Sequence, residues 1–232
     1  MTPFVDRVPV WFTICEPNMG PLFLLPDYNG ITALAKAHVP VYHWRYKDEL
    51  NGTGRISTKF ANNLAVPFDP INGSHLQASI PYQEFILGIM ANPIFLGKQI
   101  PNVVLDTPGL NVTALPTSGH STPTSLSSPT HLKEARRLAW AILQTLFGPL
   151  ASRPPQYVRE QLGYVWNTYK SSGVMVTEFG FPQISESEQH ELSVQQFAFA
   201  RFMYYQNFLT ETLHAIHSNK VNVIGALPWG LD

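Results

Sequence analysis

Short apolar runs that favour β-strands alternate along this chain with longer segments that favour helices. The C-terminal portion has a helical pattern at 155–173, an apolar run at 173–182, a further helix and a last apolar run at 221–229. Such spacing is typical of α/β proteins, in which helical crossovers join parallel strands. The chain has 232 residues, which suits one large domain or two small ones and is enough for a sizeable core.

The N-terminal portion continues the same alternation. Strands are predicted at 8–17 and, more weakly, at 54–68, where Ile56, Thr58 and Phe60 alternate with polar residues. Helices are predicted at 29–50 with an interruption at Pro40, at Pro81–Ala91, at 131–147, and from a capping box of Ser193 and Gln196 to the last turn with His214 and His217. Residues 107–130, which are mostly Ser, Thr, Pro and Gly, are predicted to form a long loop.

Composition excludes several classes of function. Charged residues make up only 13% of the chain and the formal net charge is −1, so nothing favours binding to nucleic acid or to an anionic membrane surface. No stretch reaches the roughly 18 apolar residues of a membrane span. Cys15 is the only cysteine, which excludes an intrachain disulfide, and the eight histidines make no convincing metal set. No Gly-rich phosphate loop follows a strand, so no cofactor is expected.

Three Asn-x-Ser/Thr triplets bear on where the chain is made. They are Asn51-Gly-Thr53, Asn72-Gly-Ser74 and Asn111-Val-Thr113. Such triplets are acceptors for N-linked sugars in secreted proteins, but they also arise by chance. The N-terminal residues lack the basic and apolar regions of a signal peptide. The triplets therefore hint at secretory ancestry and leave the localisation open.

Two of the apolar strands end on a glutamate, and an unpaired carboxylate beside apolar residues is costly. The strand at 8–17 contains Glu16 and the strand at 173–182 contains Glu178. In barrels of parallel strands the chemistry collects at the C-terminal strand ends, and two carboxylates about 5–5.5 Å apart are the apparatus of a retaining glycosidase. The alternative is that each glutamate only pairs with a nearby cation or with water. Sequence spacing does not decide between the two.

Three segments carry a resemblance to glycoside hydrolase family 1, the β-glucosidase family. Residues 6–18, "DRVPVWFTICEPN", resemble its fourth-strand signature Asp-Arg-Val-x-x-Trp-x-Thr-x-Asn-Glu-Pro. Residues 174–182, "VMVTEFGFP", resemble its seventh-strand signature, and residues 221–232 resemble its eighth strand. Residues 52–70 are similar to the fifth-strand region, and their sequence is most similar to that of fungal members.

The resemblance implies a fold, an activity and a set of site residues. It implies a single partial (β/α)8 TIM barrel domain over residues 1–232, with about strands 4, 5, 7 and 8. It implies a retaining hydrolase of β-glucosides or oligosaccharides, with Glu16 as the general acid/base and Glu178 as the nucleophile. Trp229 would be the platform under the sugar ring, and the peptide bond from Trp229 to Gly230 would be cis. No cofactor or metal is implied.

The chain also departs from the family pattern. Cys15 stands where most members have an Asn that binds the sugar 2-hydroxyl, so reduced activity is expected. Phe179 stands where most members have another Asn. The glycone-binding residues of the first three strands, the sixth-strand Tyr and the late Glu-Trp pair have no counterpart in this sequence.

A partial barrel leaves apolar strand edges without partners, so self-association through those edges is expected. A catalytically inactive carbohydrate-binding or interaction remnant of the family therefore stays open beside the enzyme. A related barrel family with the same two glutamates is a third, weaker alternative.

Overall fold

A computed structural model describes residues 4–19, 28–41, 49–51, 54–62, 64–110, 112, 156–169, 172–180, 191, 193 and 199–228. Four strands lie in these ranges: β1 Val10–Cys15, β2 Arg55–Lys59, β3 Val174–Phe179 and β4 Val223–Pro228. The α-helices are α1 Tyr28–Pro40, α2 Gly73–Gln83, α3 Ile89–Ala91, α4 Asn102–Leu105, α5 Gln156–Tyr169 and α6 Phe199–His217. The chain divides into two compact units, of which the first holds β1 and β2 and the second holds β3 and β4.

In the first unit, β1 and β2 form a parallel pair, as the alternation of strands and helices predicts. Val10 lies opposite Arg55 and Cys15 lies opposite Lys59, with an irregularity between Phe12 and Cys15. The middle of β2 is buried at Ile56, Ser57 and Thr58 alike rather than at alternate positions. Burial on both faces is usual for strands of parallel sheets, which are covered on both sides.

The core of the first unit is apolar and aromatic. The rings of Phe60 and Phe95 meet edge to face with centroids 5.7 Å apart, and Phe95 meets Tyr169 in the same way at 5.9 Å. Ile31 of α1 and Met90 of α3 are fully buried. The ring contacts join the residue after β2 to the helical run that contains α3 and to the end of α5.

The helix predicted at Pro81–Ala91 is longer in the structure. Helical backbone runs from Gly73 to Leu96, with π-helical turns at Glu84–Gly88 and Asn92–Leu96. Asn72 caps its start by accepting a hydrogen bond from the Ser74 N–H at 2.9 Å. The run carries Pro81 and Pro93, which lack the N–H of a regular helix, and widened turns are one way in which a helix accommodates an interrupted hydrogen-bond ladder.

The α-helix α1 ends at Pro40, the position at which the sequence predicted an interruption of a helix over 29–50, and the backbone of Val41 and of Glu49 is π-helical. Residues 42–48 lie outside the described part of the chain. The predicted helix at 131–147 and most of the predicted loop at 107–130 also lie outside it.

In the second unit, β3 and β4 form a parallel pair with α6 between them in sequence. Val174 lies opposite Val223 and Phe179 lies opposite Pro228. Val174, Val176 and Phe179 are buried. The predicted strands at 173–182 and 221–229 and the predicted helix at 155–173 are thus confirmed, with bounds that differ by a few residues.

Candidate active site

Glu16 follows directly after β1 in a left-handed backbone conformation with φ +49°. This conformation is uncommon for a residue with a side chain and is maintained only where the surroundings hold it. The Glu16 N–H donates to the Lys59 carbonyl at 2.7 Å, and the Glu16 carbonyl accepts from the Met19 N–H at 3.0 Å. The backbone of Glu16 is therefore tied both to the end of β2 and to its own turn.

Asn18 fixes that turn to the rest of the first unit. Its side chain is completely buried and makes three hydrogen bonds. The amide donates to the Ala61 carbonyl at 2.6 Å and to the Ile86 carbonyl at 2.7 Å, and the side-chain oxygen accepts from the Ala61 N–H at 3.1 Å. The sequence shows Asn18 only as the residue after Glu-Pro, so its anchoring role emerges from the structure.

The Glu16 carboxylate forms an ion pair with Lys59, the last residue of β2. The Lys59 Nζ lies 3.5 Å from the Glu16 Oε1, and the two side chains are only 14% and 22% exposed. Parallel pairing brings them together, because Cys15 and Lys59 are register partners at the ends of their strands. The sequence predicts a pairing cation as an alternative role for Glu16 but does not identify Lys59, since the register of β1 against β2 is a long-range property.

Cys15 is the last residue of β1 and its thiol is exposed and free of any disulfide. It therefore lies immediately before Glu16 at the strand end. Its assignment as a substrate-binding residue stays a prediction from the resemblance.

Glu178 is the penultimate residue of β3, and its side chain is partly buried. The next residue, Phe179, is almost fully buried and stacks on Phe208 of α6 with ring centroids 4.3 Å apart. Phe179 also meets Tyr205 edge to face at 5.4 Å. Through these two ring contacts the residue after Glu178 anchors the end of β3 to α6.

Trp229 and the Trp229–Gly230 peptide bond, which the family resemblance singles out, lie just beyond β4 and outside the described residues. Asn62 is buried, its carbonyl accepts a hydrogen bond from the Gln161 amide at 2.5 Å, and within the described part of the chain its own side-chain amide makes no hydrogen bond. Glu16 belongs to the first unit and Glu178 to the second, and each is described with its own surroundings.

Two negative findings apply to the described residues. No group of three or more His, Cys, Asp or Glu side chains among them could hold a metal ion. None of the helices described is long and apolar enough to cross a membrane.

Comparison with known proteins relates the chain to β-glucosidases. No protein-family profile matches it. Lactase/phlorizin hydrolase of Rattus norvegicus is 24% identical to this chain in an alignment 279 residues long, which covers 97% of this chain and 14% of that protein. Lactase-like protein of Mus musculus is 25% identical in an alignment 282 residues long, which covers 98% of this chain and 48% of that protein.

Solved structures show the same relationship at the level of the fold. β-Glucosidase 2 of the fungus Trichoderma reesei, solved in complex with Tris, has a TM-score of 0.74 at 19% identity, over 97% of this chain and 57% of that one. A Thermotoga maritima family 1 glycoside hydrolase, complexed with a cyclophellitol analogue, has a TM-score of 0.69 at 18% identity, over 99% of this chain and 56% of that one.

The expected resemblance to glycoside hydrolase family 1 is thereby confirmed. The neighbours are (β/α)8 barrel glycosidases, and the chain spans little more than half of their length, as expected of part of such a barrel.

Proposed function

Since the chain shares motifs and fold with the family 1 glycoside hydrolases, we propose that it provides the catalytic strands of a retaining O-glycosyl hydrolase of the β-glucosidase type. In this proposal β1, β2, β3 and β4 correspond to strands 4, 5, 7 and 8 of the barrel. The substrate is a β-glucoside or a β-linked oligosaccharide.

Two glutamates share the reaction. Glu178 attacks the anomeric carbon as the bond from that carbon to the leaving oxygen breaks, and Glu16 donates its proton to the departing oxygen. Glu16, now a carboxylate, then takes a proton from water as the water oxygen attacks the glycosyl ester. This second step returns Glu178 as a carboxylate and Glu16 as an acid. Trp229 supports the apolar face of the sugar ring.

The turn at Glu16 is the observation that carries this proposal. A non-glycine residue in a left-handed conformation is held there by bonds to Lys59 and Met19, and Asn18 anchors the turn through three further bonds. Such outliers cluster at functional sites, where the surrounding structure over-determines one geometry. A glutamate needed only for an ion pair with Lys59 requires no such fixation of its backbone.

The experiment is hydrolysis of aryl β-glucosides by the purified chain. Glu178→Gln should abolish turnover of every aryl glycoside, because it removes the nucleophile. The kcat/KM value reports the first step alone, and Glu16→Gln should lower it far less for an aryl glycoside whose leaving group departs without protonation than for one that needs a proton. Glu160→Gln, on the exposed face of α5, is the matched control and should leave the rate unchanged. Equal losses of kcat/KM from Glu16→Gln on both substrates would refute the acid role.

Cys15→Asn tests the departure from the family pattern that is expected to reduce activity. It restores the side chain that the resembled family carries beside the acid/base, and that contact can supply several kcal/mol in the transition state. We expect the rate to rise at least about tenfold, which corresponds to about 1.4 kcal/mol. An unchanged rate would mean that the residue at position 15 does not contact the sugar.

A carbohydrate-binding protein without turnover is the second candidate. Cys15 and the Glu16–Lys59 ion pair favour it, because a thiol is a weak hydrogen-bond donor and the ion pair already engages one carboxylate oxygen. Calorimetric binding of glucose or cellobiose by a folded chain that hydrolyses no aryl glycoside would support this function. Measurable hydrolysis that depends on Glu178 would exclude it.

A further inference from the structure

The triplet Asn72-Gly73-Ser74 lies at the start of α2, wholly within the described residues. Asn72 itself is exposed, as are residues 68–74 around it. A Cβ added at Gly73 would meet no atom within 4 Å, so the space beside the asparagine is open. The native fold therefore leaves room for a large group attached at this position.

The hydrogen bonds of Asn72 leave its amide nitrogen available. Its side-chain oxygen accepts from the Ser74 N–H at 2.9 Å, its backbone N–H donates to the Asp69 carbonyl, and its carbonyl accepts from His75 and Leu76. Within the described part of the chain no hydrogen bond engages its Nδ2. An N-linked sugar replaces one hydrogen on this nitrogen and leaves the oxygen free to accept, so the helix cap and the modification are compatible.

Two strongly exposed apolar side chains lie shortly before the asparagine in sequence. Phe68 is 95% exposed and Ile71 is 92% exposed. Among the described residues, the ring of Phe68 meets that of His75 edge to face at 6.0 Å. Apolar side chains so open to water are association liabilities, and a hydrated sugar chain rooted between them and the helix would screen both.

From these observations we propose that Asn72 is an acceptor for N-linked glycosylation. The donor is an oligosaccharide on a lipid diphosphate, and the enzyme is a transferase of the secretory pathway. A bond forms between Asn72 Nδ2 and the anomeric carbon of the first N-acetylglucosamine. The bond from that carbon to the diphosphate oxygen breaks, the lipid diphosphate leaves with the electron pair, and the amide proton passes to a base of the transferase. The proposal does not depend on the glycosidase activity.

The test is expression of the full chain behind a cleavable secretory leader in a eukaryotic host. We expect a glycosylated product whose electrophoretic mobility increases after treatment with a glycoamidase, which releases the sugar and converts the sugar-bearing Asn to Asp. Peptide mapping after that treatment in heavy-oxygen water should place the label on residue 72, well above the level in protein kept in the same water without the enzyme, because an Asn-Gly sequence also deamidates spontaneously.

Three variants separate loss of the sugar from loss of the fold. Ser74→Ala removes the triplet but keeps the Asn72 cap, because the cap uses the Ser74 backbone N–H. Asn72→Asp removes the acceptor nitrogen but keeps an oxygen that caps equally well. Both should be secreted without a sugar at position 72, whereas Ser74→Thr should keep it. An unlabelled residue 72 in secreted, folded wild-type protein, with or without sugar at Asn51 or Asn111, would overturn the proposal.

Discussion

Asn18 is the residue on which the geometry of the candidate acid/base most depends. It is completely buried, and its three hydrogen bonds reach the segment after β2 and the helical run that begins with α2. Because each of its partners is a backbone group, removing the Asn18 side chain would leave main-chain donors and acceptors unpaired. The hydrogen bonds of Asn18 thus stabilise the turn in which Glu16, two residues earlier, adopts its uncommon conformation.

Asn18→Ala should lower the free energy of unfolding by about 2–4 kcal/mol, since one unpaired buried group already costs about 1–3 kcal/mol. Denaturant unfolding measures this change. Asn207→Ala, at an exposed position of α6, is the control and should stay within about 0.5 kcal/mol of the wild type. A loss at Asn18 no larger than at Asn207 would show that the turn stands without its anchor.

Tyr205 gives the stability a dependence on alkaline pH. Burial raises the pKa of Tyr205 above its ordinary value of 10.0, and the nearby Arg201 guanidinium opposes this rise. Above pH 10 the unfolded chain loses this phenolic proton while the folded chain keeps it. The folded state then binds more protons, so the free energy of unfolding falls with rising pH until the folded Tyr205 ionises as well.

The Tyr205→Phe variant should therefore lose less stability than the wild type between pH 9 and 11, roughly the range around the ordinary tyrosine pKa. Denaturant unfolding at several pH values measures the two slopes. Tyr82→Phe, at an exposed position of α2, should retain the wild-type slope. Identical slopes in the Tyr205 variant and the wild type would contradict the raised pKa.

At the scale of elements, β3 and α6 are joined by an aromatic cluster centred on Phe179. Its ring stacks on Phe208 and meets Tyr205, and Tyr205 in turn meets Tyr204 at 5.7 Å. The sequence marks Phe179 as a departure from the Asn that most members of the resembled family carry after the nucleophile. The structure gives the departure a packing role, which the motif alone could not indicate.

Phe179→Asn, which restores the usual residue, should lower the free energy of unfolding by at least about 3 kcal/mol, because it empties a buried aromatic site and buries an amide there. Phe179→Leu keeps an apolar side chain and should cost less. The control is Phe202→Asn at an exposed position of α6, where Phe and Asn have similar helix propensity and little change is expected. Thermal and denaturant unfolding compare the three variants. A stable Phe179→Asn protein would mean that the stack contributes little.

The elements themselves were predictable to different degrees. Apolar runs located β1, β3 and β4, because short apolar and β-branched segments favour strands. The early start of α2 was missed since its first turns are exposed and its cap, Asn72, lies in a segment that resembles a turn. The π-helical turns were not predictable either, because they follow from how a long helix accommodates its interruptions and not from apolar periodicity.

At the scale of the whole molecule, the sequence motifs located both glutamates. The contacts around Glu16, however, are made by segments that are distant in sequence. Lys59 reaches Glu16 only because β1 and β2 pair with Cys15 opposite Lys59. Asn18 is likewise anchored to residues 43 and 68 positions away in sequence. Such contacts depend on strand register and helix packing, which a single sequence leaves undetermined. The roles of Glu16 and Glu178 stay predictions until the variants described above are measured.

The edges of the strands lead to the last prediction, which concerns self-association of the chain. Among the described residues β1 pairs only with β2, and β3 pairs only with β4. Each strand therefore has an edge without a described partner, and exposed edges favour pairing with another chain. We propose that a second copy of this chain covers such an edge near β4, where Ile224 and Leu227 are exposed.

Sedimentation velocity over a range of concentrations should then show association of the wild type. Leu227→Lys should weaken it, because a charge on an edge strand opposes edge-to-edge pairing. Leu213→Lys makes the same chemical change at a similarly exposed site on α6 and should leave association unchanged, since a helix offers no unpaired backbone groups along its length. If Leu213→Lys weakens association as much as Leu227→Lys, the chains associate through an apolar helix surface instead of a strand edge. A wild type that stays monomeric at every concentration would rule out both modes of association.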